Sequence, residues 1–455
     1  MSYSGTTALV VGLARSGIAA ARILNSLNVK VIASDLKTYD QLGEAIKCLE
    51  NMDIDFYLGS APDNLVEKVD FIVISPSVPI DSPFIEKAKR LGKEVISEIE
   101  LAYRLCKAPV IAITGTNGKT TTVTLTGEIL KRYGIGAHTL GNIGKPFVEK
   151  AMELKAEDVA VVEGSSFQLE AISSFRPYIA AILNITEDHL NRHRTMENYI
   201  AMKARIFENS GSDDWVVLNA DDPETAALGA KTKARVLYFS RRKVLERGAW
   251  VQDGIITMDI GTGKEFVCSV DDIFIPGKHN LENALAASLM ARIMGVEPES
   301  IASALKSFKG VEHRIEFVED ISGIKFYNDS KGTNPDASIR AIRAMKGPTV
   351  LIAGGMDKGN SFDELVEAFD GKVTHMIVLG ETADKLAKTA KDKGFEKVYR
   401  VKTIEESVKK AFSLAVPPSN VLLSPACASW DMFKDYEERG RIFKDAVRAL
   451  KEETE

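Results

Sequence analysis

Short apolar runs that end in glycine or a small polar residue alternate with amphipathic stretches over most of the chain. Near the N-terminus the runs 8–11, 29–33, 71–74 and 95–96 read as strands, and a helical pattern begins near Ser16. Strand and helix in alternation predict parallel strands joined by crossover helices. A second block repeats the pattern, with strands over 109–113, 159–162, 179–185 and 215–218. Between 249 and 275 turns such as Gln252-Asp253-Gly254 and Gly261-Thr262-Gly263 predict a small β meander set into an α/β domain. Helices over 281–294 and 298–307 follow, then a linker candidate at Lys309-Gly310. A third block has strands over 315–318, 349–353, 376–379 and 421–423, and a last helix marked by Phe443, Ala446, Val447 and Leu450.

At about 100–200 residues per domain, 455 residues allow about three domains. The expected fold class is α/β in three domains. These are a Rossmann-like domain over 1–97, a central P-loop ATPase-like α/β domain with an inserted small β sheet over 98–309, and a Rossmann-like α/β domain over 310–455. A 45% hydrophobic and 27% charged composition excludes a disordered or coiled-coil chain. Lys plus Arg is 58 against 64 Asp plus Glu, and a net charge of -6 argues against a nucleic-acid coat. Cysteines at 48, 106, 268 and 427 form no CxxC pair and fit a reducing compartment. The N-terminus lacks signal-peptide character, and no apolar run reaches the ~18–20 residues that span a bilayer. A soluble cytoplasmic protein is expected, with no nucleic-acid partner and no membrane insertion.

The most specific motif is Ile113-Thr114-Gly115-Thr116-Asn117-Gly118-Lys119-Thr120-Thr121. A buried-type strand runs into a glycine-bearing turn and then a helix. Glycine lets backbone N–H groups approach phosphate oxygens, Lys119 offers a cation to the β- and γ-phosphates, and the Thr120 hydroxyl suits Mg²⁺. Ile113 stands where the standard phosphate-loop pattern has its first glycine, but nucleotide binding by Gly115, Thr116, Asn117, Gly118, Lys119, Thr120 and Thr121 is expected.

Glu163 closes the run 159–162 and suits Mg²⁺ beside a phosphate loop, or equally a helix cap or ion pair. His189 lies beyond a strand in the acidic run Asn184-Ile185-Thr186-Glu187-Asp188-His189, a setting that favours a metal over a structural role. Lys203 reads on physical grounds as a solvated helix lysine, since an ammonium cannot ligate a cation. Asn280 and Asn283 share a helix face or serve as first-turn polar residues. Arg314 has the planar donors that suit a phosphoryl group, or makes an interdomain ion pair. Asp329-Ser330-Lys331-Gly332-Thr333-Asn334-Pro335 is a polar loop after a strand. Gly12-Leu13-Ala14-Arg15-Ser16-Gly17 approaches a dinucleotide fingerprint, with Asp35 about 20 residues on, but Ala14 replaces its middle glycine. A pocket for the phosphates and ribose of another nucleotide is the better reading. In the third block Lys358 could hold a carboxylate and Ser429 is a small donor, against a surface lysine and a helix cap. Cys427 is read as structural.

The loop 114–121 is similar to the nucleotide loop of the Mur ligases, which add amino acids to the peptidoglycan precursor; folylpolyglutamate synthetases carry a related loop. With EGSSFQLE at 163–170, NITEDH at 184–189 and YIAMKARIFE at 199–208, the likeness covers the whole chain. GLARSG at 12–17 and SPACASWDMF at 424–433 favour the D-glutamate-adding branch. The resemblance implies an ATP-dependent ligase that joins D-glutamate to UDP-N-acetylmuramoyl-L-alanine through an acyl phosphate. It implies two Mg²⁺ ions at Thr120, Glu163, His189 and a carbamylated Lys203. It makes the nucleotide of the loop 115–121 ATP and places Asn280, Asn283, Arg314 and Asp329 on it, with Lys119, Lys203, His189 and Arg314 serving catalysis. It assigns Ala14, Arg15, Ser16, Asp35, Ser75, Pro76, Ser77 and Asn142 to the UDP-sugar, the last in the loop 141–144. Thr333, Lys358, Ser429 and Tyr436 fall to D-glutamate. The chain departs from the family at Ser77 for glycine, Gly332 for alanine and Tyr436 for phenylalanine. A monomer is expected. Rival readings are another Mur ligase, a nucleotide switch, and a dehydrogenase.

Overall fold

The computed structural model of the protein describes residues 3–142 and 144–454, and of Glu44 the backbone alone. Ile143, in the candidate loop 141–144, lies outside the described residues. Tertiary contacts divide the chain into two compact units, Met1–Asp272 with Glu282–Lys306, and Ile273–Leu281 with Ser307–Glu455. No described helix is long and apolar enough to cross a membrane.

The first unit holds two sheets. Strands β1 (Thr7–Val11), β2 (Lys30–Asp35), β3 (Ile54–Leu58), β4 (Phe71–Ile74) and β5 (Glu94–Ser97) are parallel in the order β3-β2-β1-β4-β5. Ala8 and Val10 enter one core and Leu9 and Val11 another, so both faces of β1 are covered. That double burial is why its sequence is continuously apolar. The second sheet comprises β6 (Val110–Thr114), β7 (Ala137–Gly141), β8 (Val159–Glu163), β9 (Ile179–Ile182), β10 (Trp215–Asn219), β11 (Arg235–Ser240), β12 (Gly248–Gln252), β13 (Ile255–Asp259) and β14 (Glu265–Ser269). Its order is β14-β13-β12-β11-β10-β9-β6-β8-β7, parallel except for the antiparallel meander β12–β13–β14 expected from the turns.

Three strands of this unit escape the apolar-run reading. In β3 only Ile54 is buried, β7 carries His138 and Thr139, and β11 buries only Leu237, Phe239 and Ser240. The strand expected over 179–185 stops at Ile182, where the chain leaves the sheet for the loop carrying Asn184. Buried Glu100, on the helix Glu98–Leu105, accepts the N–H groups of Ser173 (2.9 Å), Ser174 (3.0 Å) and Phe175 (2.9 Å) and the Arg104 guanidinium (2.7 Å). Burial alone would raise its pKa; these donors outweigh it and hold the carboxylate below its ordinary range.

The second unit is built on β15 (Glu316–Ile321), β16 (Ile324–Asn328), β17 (Thr349–Gly354), β18 (Val373–Leu379), β19 (Val398–Arg400) and β20 (Ser419–Leu423), in the order β15-β16-β20-β17-β18-β19. β15 and β16 form an antiparallel hairpin; the other pairs are parallel. The helix Tyr436–Thr454 packs Phe443, Val447 and Leu450 on the core. Loops at the C-terminal ends of parallel strands carry Gly115, Asn142, Asp329, Lys358 and Ser429, as expected where an open α/β sheet binds ligands, whereas Lys203, Asn280, Asn283 and Tyr436 lie on helices.

Candidate functional site

β6 delivers the chain to Gly115, and the helix Lys119–Arg132 leaves from Gly118. Gly118 is left-handed (φ 83°), and a Cβ there would lie 2.3 Å from Asn283 Oδ1, so any other residue is excluded twice over. The loop is tied to the chain beyond β9. Thr116 N–H donates to Asn184 O (2.9 Å), Asn117 N–H to Asn184 Oδ1 (2.8 Å), and the Thr116 hydroxyl to Thr186 O (3.1 Å). Thr121 is buried.

Two lysines converge on one carbonyl. Lys119 Nζ donates to Gly115 O (2.7 Å) and Thr116 O (2.9 Å), and Lys203 Nζ reaches the same Gly115 O at 2.9 Å. The expectation of a solvated Lys203 is overturned: it is 2% exposed, with Nζ 4.6 Å from the centroid of the Tyr199 ring. Its helix, Met196–Ala204, packs on the segment Ser166–Leu169 and turns the side chain inward. Burial, and then the charge of Lys119, hold the Lys203 pKa well below that of ordinary lysine, and Asp188 opposes them weakly.

Glu163 is buried at the end of β8. Its Oε2 accepts the Thr120 hydroxyl (2.9 Å) and its Oε1 the Asn142 amide (3.0 Å). Its partners are neutral donors, neither a helix terminus nor a basic side chain. The Thr120–Glu163 pair offers the oxygen donors a hard cation takes. His189 is half exposed and left-handed (φ 54°), with Nε2 3.4 Å from Asp188 Oδ2 and its ring 4.9 Å from that of Phe167. Among the described residues no group of three or more His, Cys, Asp or Glu side chains is placed to hold a metal ion. Asn283 Oδ1 accepts the Thr122 hydroxyl (3.2 Å), beside the loop.

At the N-terminal sheet, Asp35 organises the turn after β1. Leu13 N–H donates to its Oδ2 (2.7 Å) and Lys37 N–H to its Oδ1 (2.9 Å), while the Ser75 hydroxyl donates to Gly12 O (2.6 Å). A Cβ on Gly17 would lie 1.9 Å from Gly12 O, so glycine lets the helix Arg15–Ser26 start against the turn. A cavity of about 840 Å³ is lined by Ala14, Arg15, Arg22, Asp35, Lys37 and Ser77, among others. A second, of about 330 Å³, shares Asp35 and Ser77 and reaches Phe84. Ser75 is buried beneath the turn, and Ser16 and Pro76 line neither cavity. The Arg15 guanidinium is bonded to Gly144 O.

In the second unit Asn280 Nδ2 donates to Pro276 O (2.7 Å), a first-turn role for its helix. Arg314 sits between two left-handed residues, His313 (φ 64°) and Ile315 (φ 45°), and its Nε is buried without a hydrogen-bond partner. The orphaned Nε between left-handed neighbours keeps Arg314 a candidate for binding a ligand. Asp329 is buried between the Ser424 hydroxyl (2.7 Å) and Ile315 N–H (3.2 Å), and burial pushes its pKa up to about 7. A Cβ at Gly332 would lie 2.5 Å from Asp329 Oδ2, so glycine here fits the carboxylate that alanine would crowd. Lys331 Nζ lies 5.6 Å from the Tyr436 ring, after which the chain reaches Thr333. The Tyr436 hydroxyl donates to Glu437 Oε1 (3.3 Å). Exposed Lys358 has its Nζ 4.8 Å from the Trp430 ring, and Ser429 beside it is buried. Cys427 is buried and its thiol pushed up to about 11 by burial, which suits a structural role.

Two residues at these sites were not anticipated. His193 is buried, with Nε2 3.0 Å from Ser166 Oγ and its ring 5.2 Å from that of Tyr199, behind Lys203. Its only sequence signal is the i, i+4 spacing from His189. Arg439, on the helix after Tyr436, is 2% exposed, and nothing in its surroundings in the sequence marks it for burial.

Family models match three stretches of the chain: a Mur ligase MurD-like N-terminal domain at residues 6–97, a Mur ligase middle domain at 113–291, and a Mur ligase glutamate ligase domain at 313–427. Among curated proteins, the UDP-N-acetylmuramoylalanine--D-glutamate ligase of Thermoanaerobacter sp. (strain X514) is 52% identical over 453 residues, covering 99% of this chain and 100% of that one. The protein of the same name from Clostridioides difficile (strain 630) is 47% identical over 453 residues, with the same coverage. Among solved structures, the UDP-N-acetylmuramate-alanine ligase MurC of Thermotoga maritima shares the fold at a TM-score of 0.57 and 20% identity, covering 98% of this chain and 100% of that one.

Proposed function

The chain belongs to the Mur ligase family, and from that premise we propose that it joins D-glutamate to UDP-N-acetylmuramoyl-L-alanine, converting ATP to ADP and phosphate, in peptidoglycan precursor synthesis. The observation that carries the reading is the pair of lysines on Gly115 O beside the Thr120–Glu163 pair, at the end of a strand that feeds a helix N-terminus. Lys119 supplies a cation there, and the loop N–H groups and the Thr120 hydroxyl supply donors, as a triphosphate requires.

The substrate carboxylate is a poor acyl donor, because oxide would have to leave. Phosphorylation by ATP makes an acyl phosphate and releases ADP. The amine of D-glutamate then attacks the carbonyl carbon, and the C–O bond to phosphate breaks. Lys119 and the N–H groups of 115–120 would hold the β- and γ-phosphates, and Arg314, with its unsatisfied Nε, the transferring phosphoryl group. Asp329 would accept from the ATP ribose, and Asn280 and Asn283 would serve the adenosine. Ala14, Arg15, Asp35 and Ser77, with Ser16, Ser75, Pro76 and Asn142 around them, would bind the UDP-sugar. Thr333, Lys358, Ser429 and Tyr436 would bind D-glutamate. Domain limits at 97 and 309 would separate these three tasks.

Mg²⁺, when bound, supplies positive charge that offsets the phosphates. Thr120, Glu163 and His189 fit it as a hydroxyl, a carboxylate and an imidazole, but Lys203 as an amine adds no ligand. Carbamylation of Lys203 would mend this and allow two ions. Burial, which lowers the Lys203 pKa, favours the neutral amine over the ammonium, and the amine is the form that attacks CO₂; the N–C bond forms, a proton leaves, and an anion results. We also read the protein as a cytoplasmic monomer.

The test is phosphate release with ATP, Mg²⁺ and UDP-N-acetylmuramoyl-L-alanine across D-Glu, L-Glu, L-Lys and D-Ala. Release with D-Glu alone is expected. Release with a different amino acid and none with D-Glu would overturn the assignment.

A further inference from the structure

Arg439 is the largest buried charge in the second unit, and among the described residues no carboxylate lies within ion-pair distance of it. Burial lowers its pKa, but only to about 10, so it remains a cation at neutral pH. All five of its donors are used. Nε donates to Ser330 Oγ (3.0 Å); Nη1 to Cys427 O (3.2 Å) and Ala428 O (3.3 Å); Nη2 to Ser330 O (2.8 Å) and Cys427 O (3.2 Å). Ser330 Oγ in turn donates to Tyr436 O (2.7 Å).

The acceptors lie within three residues of proposed substrate residues. Ser330 stands three residues before Thr333, and Cys427 and Ala428 stand two and one before Ser429. Tyr436 lies three residues before Arg439 on its own helix. The loop that leads to Lys358 is joined to the same knot, because Met356 N–H donates to Ala428 O (3.0 Å). A Cβ on Gly355 would come within 2.2 Å of that oxygen and 3.2 Å of Arg439 Nη1. The chain beside the knot is strained: Ala426 is left-handed at φ 58°. A buried cation that spends its five donors on loop carbonyls and one hydroxyl needs a planar fork, which lysine cannot supply.

We propose that Arg439 is the positioning residue of the amino-acid site, a clamp that fixes the spacing of the Lys331–Thr333, Met356–Lys358 and Ser429 loops. The substrate assignment in this statement rests on the proposed D-glutamate ligase activity; the clamp itself does not.

The test is Arg439→Lys, which keeps the charge and loses the fork, together with the milder Ser330→Ala. For Arg439→Lys the KM for D-glutamate should rise at least tenfold while the KM values for ATP and the UDP-sugar stay within threefold. Ser330→Ala should raise the D-glutamate KM about two- to fivefold. Amide hydrogen exchange of the substrate-free Arg439→Lys protein should speed up at 329–334 and 427–430 and stay unchanged at 115–120. An unchanged D-glutamate KM, an equal rise in all three KM values, or unchanged exchange in the two loops would each overturn the proposal. If the wild-type protein itself releases no phosphate with D-glutamate, the substrate assignment fails and the exchange result alone decides the clamp. If Arg439→Lys does not fold, Ser330→Ala decides by the same two readouts.

Discussion

Lys203 and Arg439 are both buried basic side chains whose hydrogen bonds go to neutral acceptors, and the protein treats them in opposite ways. Lys203 directs Nζ at one carbonyl that Lys119 already uses, and its pKa falls well below the ordinary range. Arg439 finds an acceptor for every donor and stays charged. The difference comes from the head groups. An ammonium is a strongly hydrated point charge that sheds its proton when it loses water, whereas a delocalised guanidinium keeps its charge and can satisfy a ring of carbonyls. One buried base is thereby shifted towards the neutral amine, and the other stays a cation held in five hydrogen bonds.

Exchanging the head group at Lys203 should have the largest effect. Lys203→Arg keeps a cation where the site needs a neutral nitrogen, and Lys203→Ala removes the nitrogen altogether. Each should lower the rate of phosphate release by roughly 10³-fold, the scale of losing a key electrostatic contact to the reacting group. Short-chain carboxylic acids should restore part of the activity to Lys203→Ala and none to Lys203→Arg; full activity in either variant would remove the carbamate from the account.

Asp329 extends the comparison to a buried acid. Its folded pKa of about 7 lies above that of the unfolded chain, so the folded state binds the extra proton. The stability this contributes is fully present below the ordinary carboxylate range and is lost as pH rises towards 7 and past it. Asp329→Asn should remove that slope and, at pH 8, be more stable than wild type by on the order of 2–4 kcal/mol. Urea unfolding at pH 4.5 and pH 8 checks it; parallel wild-type and variant profiles would refute the burial argument.

Lys203 has the opposite sign. Its folded pKa lies below that of the unfolded chain, so between the two values the unfolded state binds more protons and stability rises with pH. Lys203→Met should lack that slope and be more stable than wild type at neutral pH while losing activity. A melting temperature below wild type would contradict it. Gly332→Ala should have the smallest effect, a loss of about 1–2 kcal/mol from a Cβ placed 2.5 Å from Asp329 Oδ2. Combined with Asp329→Ala the loss should shrink, because the crowded carboxylate is gone; an unchanged loss would place the strain elsewhere.

Much of the fold was legible where burial on both faces leaves continuous apolar runs, as in β1, β4, β6 and β8. The strands missed are an edge strand with one buried residue, β3, a strand with polar positions, β7, the half-buried β11, and the three-residue β19, which buries none. The phosphate loop was legible because its chemistry is local: the glycine, lysine and threonine that act together are adjacent in sequence. Arg314, read on its own as an ion-pair candidate, instead stands with an orphaned Nε between strained neighbours. Arg439 carries no motif, because its partners lie 11 to 109 residues away.

The sequence by itself determined the alternation of strand and helix, the nucleotide loop and the family, since each is written in local periodicity or in contiguous motifs. Tertiary structure alone decided the charge state of the side chains at the site. Lys203 lies on a helix whose pattern reads as solvated, and Asp329 lies in a loop that reads as exposed. Only the packing of distant segments removes their water, and desolvation is what moves the proton.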